Sequence, residues 1–329
     1  MGDSMKETLK EFRKQMKQID DTKKEEGDKQ ESGVVQWLPT GKKYIPCGMT
    51  VSKLPAGIYS LRYDRSVNQY LLQEDDLHLD DLLILPDMVT EKVLKDIRSF
   101  WSLQESYEKL NCVYKRGILL YGEPGCGKTS IIMLLAKELI DNDGIVINIL
   151  NMDNVDELKE TLNTLRKIEP DRRLIVIIED IDNFMGDRDG TLTELLNLLD
   201  GGLQLPNIVI LATTNFPERL QKRISHRPSR FDRRYEVGLP SATARKYYIQ
   251  KKLSDEDFKK ISLGELIKRT AGFTIDHLKE LLLSVFVLGY DFEEAYKEIK
   301  GMMGNELLKN TNTQKGAGFN QSREDDDDE

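Results

Sequence analysis

Gly122-Glu123-Pro124-Gly125-Cys126-Gly127-Lys128-Thr129-Ser130 is the stretch on which the reading of this chain turns. It is a complete G-x-x-x-x-G-K-[ST] match in the context such a motif needs. An apolar strand signal, Ile118-Leu119-Leu120-Tyr121, feeds it, and an apolar-periodic helix over Lys128–Asp141 leaves it. The glycines let main-chain N–H groups wrap phosphate oxygens, and the helix N-terminus adds partial positive charge. Lys128 then reaches the β- and γ-phosphates and Thr129 offers its hydroxyl to Mg²⁺. All nine residues from Gly122 to Ser130 are candidate nucleotide-binding residues. Cys126 sits where the motif is indifferent to residue type. A thiol at a helix N-terminus can be activated, but a small filler residue is the reading adopted.

Outward from the loop, strand signals at Gly117–Tyr121, Ile145–Leu150, Leu174–Ile178, Ile208–Thr213 and Arg234–Val237 alternate with helical ones at Lys128–Asp141, Val155–Lys167 and Leu192–Leu199. Fully apolar strands separated by helices predict an α/β fold with a parallel sheet covered on both faces. The third of these strands runs into Glu179-Asp180-Ile181-Asp182. Beside the loop strand, such acids meet the metal and the attacking water. The usual order is Asp for the metal, then Glu for the water. Here it is reversed, which puts Glu179 with Thr129 on the metal side and Asp180 on the water side.

With both motifs in hand, the order of the downstream segments resembles the AAA+ ATPases, and within them the AAA clade proper. Ile208–Asn215 looks like the fourth core strand with its sensor-1 residue, so the resemblance implies that Asn215 orients the water or touches the γ-phosphate. Arg227-Pro228-Ser229-Arg230-Phe231-Asp232-Arg233 looks like the second region of homology, where two arginines three residues apart reach a neighbouring subunit's phosphate; Arg227 and Arg230 take those places. Guanidinium groups suit that task because they stay charged and stabilise charge building on the transferred phosphoryl. Thr270–Leu278 resembles the start of the lid helix, with Ile275 and Asp276 in place of a small-residue pair and no clear sensor-2 arginine. His277 is read as a packing residue.

The resemblance spans roughly Leu83 to Met303. Segment by segment it is nearest the subgroup of the mitochondrial inner-membrane AAA translocase of the Rieske iron–sulfur protein, through Lys115-Arg116-Gly117 and the Glu-Asp order. It implies a P-loop NTPase with a five-stranded parallel sheet in the order 5-1-4-3-2 and a helical lid. It further implies ATP and Mg²⁺ as ligands and a ring of six or seven copies. The expected domains are a charged amphipathic helix and linker (1–33), a small β-rich module (34–82), the ATPase core (83–240), the helical lid (241–303) and an acidic, disordered tail (304–329).

Composition narrows the partner. The formal net charge is −9 and Glu324–Glu329 is an unbroken acidic run. Non-specific DNA binding draws most of its affinity from Lys and Arg displacing counterions, so nucleic acid ranks below a protein partner. A loader, a replication-linked motor and a slow nucleotide-gated scaffold stay as alternatives. Where unfoldase relatives carry an aromatic pore residue, this chain reads Leu150-Asn151-Met152-Asp153-Asn154-Val155-Asp156-Glu157, without Tyr, Trp or Phe to grip a threaded polypeptide. Met5, Leu9, Phe12, Met16 and Ile19 alternate at spacings of four and three, the stripe of either a helix packed on its own protein or one that docks or self-associates. No run approaches the ~20 apolar residues of a membrane span. The start lacks the apolar core of a signal peptide, and Lys6 departs from the myristoylation motif. The three cysteines, Cys47, Cys112 and Cys126, form no paired pattern. The expectation is therefore a cytoplasmic protein with no membrane partner, related to the translocase in its motor alone.

Overall fold

The computed structural model describes residues 36–40, 43–47, 51–64, 69–76, 82–86, 88–149, 155–185, 191–199, 205–224 and 230–312. The amphipathic stripe at 5–19 and the acidic run at 324–329 lie outside them. The chain forms two units, Met1–Leu54 and Pro55–Glu329. In the first, β1 (Gln36–Thr40) pairs antiparallel with β2 (Lys43–Cys47), in register from Gln36↔Cys47 to Thr40↔Lys43.

The second unit follows the order β3 (Gly57–Asp64), β4 (Gln69–Asp75), α1 (Thr90–Phe100), α2 (Gln104–Lys109), β5 (Lys115–Tyr121), α3 (Lys128–Asp141), β6 (Ile145–Asn148), α4 (Val155–Ile168), β7 (Leu174–Ile178), α5 (Thr191–Asn197), β8 (Ile208–Thr214), α6 (Pro217–Ile224) and β9 (Arg233–Glu236). Its sheet runs β4-β3-β6-β7-β8-β5-β9. From β9 to β6 this is the expected parallel order 5-1-4-3-2. Strand residues alternate between two covered faces, as period 2 demands. Ile118, Leu120, Val146, Ile175, Ile177, Val209 and Leu211 pack with Val93, Leu94 and Ile97 of α1 and Ile132, Leu135 and Ala136 of α3. The intervening Leu119, Ile147, Val176 and Ile210 are buried as well.

The sheet is longer than sequence patterning alone predicts. Strands are expected near Ile58–Tyr63 and Gln69–Leu72, but in a module of their own. Instead β3 lies parallel to β6, with Gly57↔Ile145 to Ser60↔Asn148, and antiparallel to β4. The physical reason is an edge. β6 is a four-residue apolar strand with Ile145, Val146 and Ile147 wholly buried, and left uncovered it would expose a hydrophobic row of unpaired amides. β3 covers it with its own buried Ile58 and Tyr59, while buried Ser60 donates its hydroxyl to the Asp75 carboxylate of β4.

After β9 come α7 (Ala242–Lys252), α8 (Leu263–Arg269), α9 (Ile275–Leu282) and α10 (Phe292–Asn312). Ser241, Ser262 and Thr274 cap the first three, each accepting a main-chain N–H from three residues on. Two cores hold these helices. One joins Tyr248, Ile249, Leu266 and Leu278 with Leu85, from the segment ahead of α1; the other joins Phe273, Leu281, Val285 and Ile299. The helix expected over Ile275–Leu288 breaks into a π turn at Leu283–Val287, and α10 continues past Gly304, where the sequence predicts that the tail begins.

Candidate functional site

The carboxyl ends of three neighbouring parallel strands, β7, β8 and β5, carry the predicted residues. This is the place where open α/β sheets present ligand crevices. β5 delivers the chain at Tyr121 into Gly122, whose φ of 148° and whose closeness to the Val237 carbonyl leave no room for a Cβ. The loop then passes Gly125 (φ 75°) and reaches Gly127 (φ 96°), the N-cap of α3, with no side-chain acceptor at the helix N-terminus. Lys128 is 7% exposed, and its Nζ donates to Gly122 O at 2.8 Å and Glu123 O at 2.9 Å. Burial draws its pKa below the ordinary lysine range, against the opposing pull of nearby Asp180, Asp182 and Asp276. A buried ammonium beside a helix N-terminus that has no side-chain cap is the kind of donor set a triphosphate requires.

The acids meet this loop. Thr129 donates its hydroxyl to Glu179 Oε2 at 2.6 Å, which joins the two residues expected on the metal side. Asn215 Nδ2 donates to Asp180 Oδ1 at 3.0 Å, which joins the residue expected as the sensor to the acid expected on the water side. Lys128, Thr129, Glu179, Asp180 and Asn215 are thus brought together. Among the described residues no group of three or more His, Cys, Asp or Glu side chains could hold a metal alone. A magnesium ion here would lean on phosphate oxygens, as it commonly does.

Three residues of this region carry no role that the sequence alone assigns. Thr213 Oγ1 accepts the Asp180 N–H at 2.8 Å, and Thr214 donates its hydroxyl to Asp182 Oδ1 at 2.6 Å. Asp182 itself is buried. A signal was present: two consecutive hydroxyls end a strand whose other residues are apolar, opposite a third acid in an acid-rich turn.

In the arginine segment, Arg230 is 7% exposed, with Nη2 3.3 Å from Asn197 Oδ1 at the end of α5. Within the single chain the guanidinium of Arg230 is thus directed at α5. The segment is anchored by Asp232, whose Oδ2 accepts the Gly117 N–H of β5 at 2.7 Å. Arg227 lies outside the described residues, as do Leu150–Asn154 of the pore segment.

The start of α9, in the helical part expected as a lid, lies against the loop. Asp276 N donates to Gly125 O at 3.2 Å, and a Cβ on Gly125 would lie 2.9 Å from Thr274 Oγ1 and 3.1 Å from the Asp276 carboxylate. Leu85, Met88, Cys126, Ser130, Tyr248 and Ile275 line an apolar crevice beside the loop. His277 faces Thr274 Oγ1 through Nδ1 at 2.8 Å and packs edge-on to Phe273, in keeping with a packing role. Cys126 is buried, and burial pushes its thiol up to about 11. At pH 8 only about one such thiol in a thousand is ionised. Peptide mapping after brief iodoacetamide treatment of the folded protein is therefore expected to find exposed Cys112 alkylated and Cys126 unmodified. Prompt Cys126 alkylation would restore the reactive reading.

Residues 118–239 match the family model described as ATPase family associated with various cellular activities (AAA). Over 52% of its length the chain is 32% identical to the ATPase family gene 2 protein of Saccharomyces cerevisiae, covering 23% of that protein. It is 35% identical over 47% of its length to the mitochondrial chaperone BCS1 of Bos taurus, covering 39% of it. It is also 27% identical over 69% of its length to the ATP-dependent zinc metalloprotease FtsH 2 of a Thermoanaerobacter species, covering 48% of it. The chain thus spans less than half of each of these relatives. Relatives named as mitochondrial chaperones overturn the expectation of a cytoplasmic protein. Among the described residues no helix is long and apolar enough to cross a membrane.

Proposed function

We propose, starting from the AAA ATPase domain that residues 118–239 form, that this chain hydrolyses Mg·ATP at sites shared between copies of itself and couples the cycle to remodelling or translocating a protein partner. The observation that carries this reading is the convergence of Lys128, the Thr129–Glu179 pair and the Asn215–Asp180 pair on one crevice. In the proposal the loop amides and Lys128 grip the triphosphate, the lysine exchanging the Gly122 and Glu123 carbonyls for phosphate oxygens. Thr129 and Glu179 would hold the metal ion, which would supply positive charge to offset that of the phosphates. Asp180, with one oxygen tied to Asn215, keeps the other for the attacking water and takes its proton. Arg227 and Arg230 come from the neighbouring copy, Arg230 exchanging Asn197 of its own chain for the phosphate. Names that speak of chaperones and of an ATP-dependent protease support a protein partner, as does the acidic balance of the chain.

Subunit mixing tests the shared site. Lys128→Ala and Arg227→Ala proteins are each expected to be inactive alone. Mixed at equal amounts and reassembled, they are expected to recover about a quarter of the wild-type rate, the share of random head-to-tail interfaces with both halves intact. No recovery in mixed oligomers would overturn shared sites. Strong, salt-sensitive stimulation by duplex DNA would overturn the protein partner.

A further inference from the structure

We infer that Thr213 is a positioning residue for Asp180, and that it lets this site work with its two acids in the order Glu179-Asp180. The inference rests on the proposed role of Asp180 as the water-side acid and goes beyond it. An aspartate on the water side is one methylene shorter than a glutamate and has one fewer rotatable bond. Its carboxylate goes where the backbone aims it. The backbone here is unusual: Asp180 has φ 47°, in the left-handed region. That conformation is disfavoured for a non-glycine residue, though Asp tolerates it better than most. Such a residue persists when its surroundings hold it from several sides.

Three contacts do so. β7 ends at Ile178, so the amide of Asp180 has no strand partner; it donates to Thr213 Oγ1 at 2.8 Å instead. The carbonyl of Asp180 accepts from Asn183 N at 2.8 Å. The side chain accepts from Asn215 at 3.0 Å. Thr213 is 2% exposed and lies one residue beyond Ala212, the β8 partner of Ile178, so its hydroxyl comes from the rigid centre of the sheet. Thr214, next in line, holds buried Asp182. The end of β8 therefore grips the acid turn through two hydroxyls and one amide from three consecutive residues. Without the Thr213 hydroxyl, the Asp180 amide loses its acceptor and the turn loses one of the three contacts that hold it in the left-handed form. Misplacement of a reacting group by ~1 Å is enough to cost ~100-fold in rate.

The test compares Thr213→Val with Thr213→Ser, and with Thr213→Ala should valine prevent folding, in steady-state ATPase assays on the full chain. Loss of the hydroxyl is expected to lower kcat by about 10–100-fold. KM and nucleotide affinity are expected to stay within about threefold, since the phosphate grip is untouched. Serine, which keeps the oxygen, is expected to keep kcat within about threefold. Loss confined to thermal stability with kcat intact, or a serine variant as slow as the valine one, would overturn the inference. Asp180→Asn run alongside separates the failures. If that variant turns over normally, the assignment of Asp180 is wrong. If it is inactive while Thr213→Val and Thr213→Ala keep wild-type kcat, only the role of Thr213 falls.

Discussion

Lys128→Ala is expected to fold and yet bind ATP at least ~100-fold more weakly, because charge-assisted hydrogen bonds to phosphate are each worth ~1.5–3 kcal/mol. The side chain is 7% exposed and its ammonium is shared between two loop carbonyls, so it is already at the mouth of the phosphate cradle. Alanine removes that cation and leaves the Gly122 and Glu123 carbonyls without its donation. Three acids, Asp180, Asp182 and Asp276, bear on the same lysine. With it gone, an incoming triphosphate would meet their charge unopposed. The fold should survive, since the strands and α3 rest on the apolar core around Ile118, Ile132 and Leu211. Calorimetric titration with ATP, beside a circular dichroism melt, checks both halves. Affinity within about threefold of wild type would remove the lysine from the phosphate site.

Asp180→Asn is expected to bind ATP as the wild type does and to turn it over about 10²–10⁴-fold more slowly, the usual contribution of a positioned general base. The substitution is nearly isosteric. The Asn215 amide can still donate to the Oδ1 of the new side chain, and the main-chain N–H still reaches Thr213, so the local geometry stays. What disappears is the negative charge that takes the proton of the water. Multiple-turnover phosphate release measures the rate, and a fluorescent nucleotide measures binding. Undiminished release would show that the acids play other parts, with Glu179, bonded to Thr129, the first to be tested.

The centre of the fold was legible because it is governed by local rules. Apolar strands such as Leu174–Ile178 can only be buried on both faces, and the glycine-rich turn after Tyr121 states its backbone conformation outright. That Thr129 and Glu179 belong side by side followed from motif position, and Asn215 was singled out by the family resemblance; its bond to Asp180 is seen only in the fold. What escaped were matters of tertiary choice. Strands at Gly57–Asp64 and Gln69–Asp75 could be read from their composition, but nothing local says that β3 covers the edge of β6. Thr213 and Thr214 look like the end of a strand until β7 is laid beside β8 and their hydroxyls meet the acid turn. Nor does local sequence say that, within the single chain, Arg230 lies against Asn197 of α5.

The hairpin that extends the sheet also decides how a tug on the chain would be felt. β3 is joined to the residues before it by a short stretch from Pro55, and it is zipped to β6 on one side and β4 on the other. Tension arriving from upstream would run along β3 and load both ladders in shear, where several hydrogen bonds must fail together. It would not peel them one at a time. β6 is next to β7, whose end carries Glu179 and Asp180. A pull on that side would thus arrive one strand away from the candidate site, through the buried centre of the sheet.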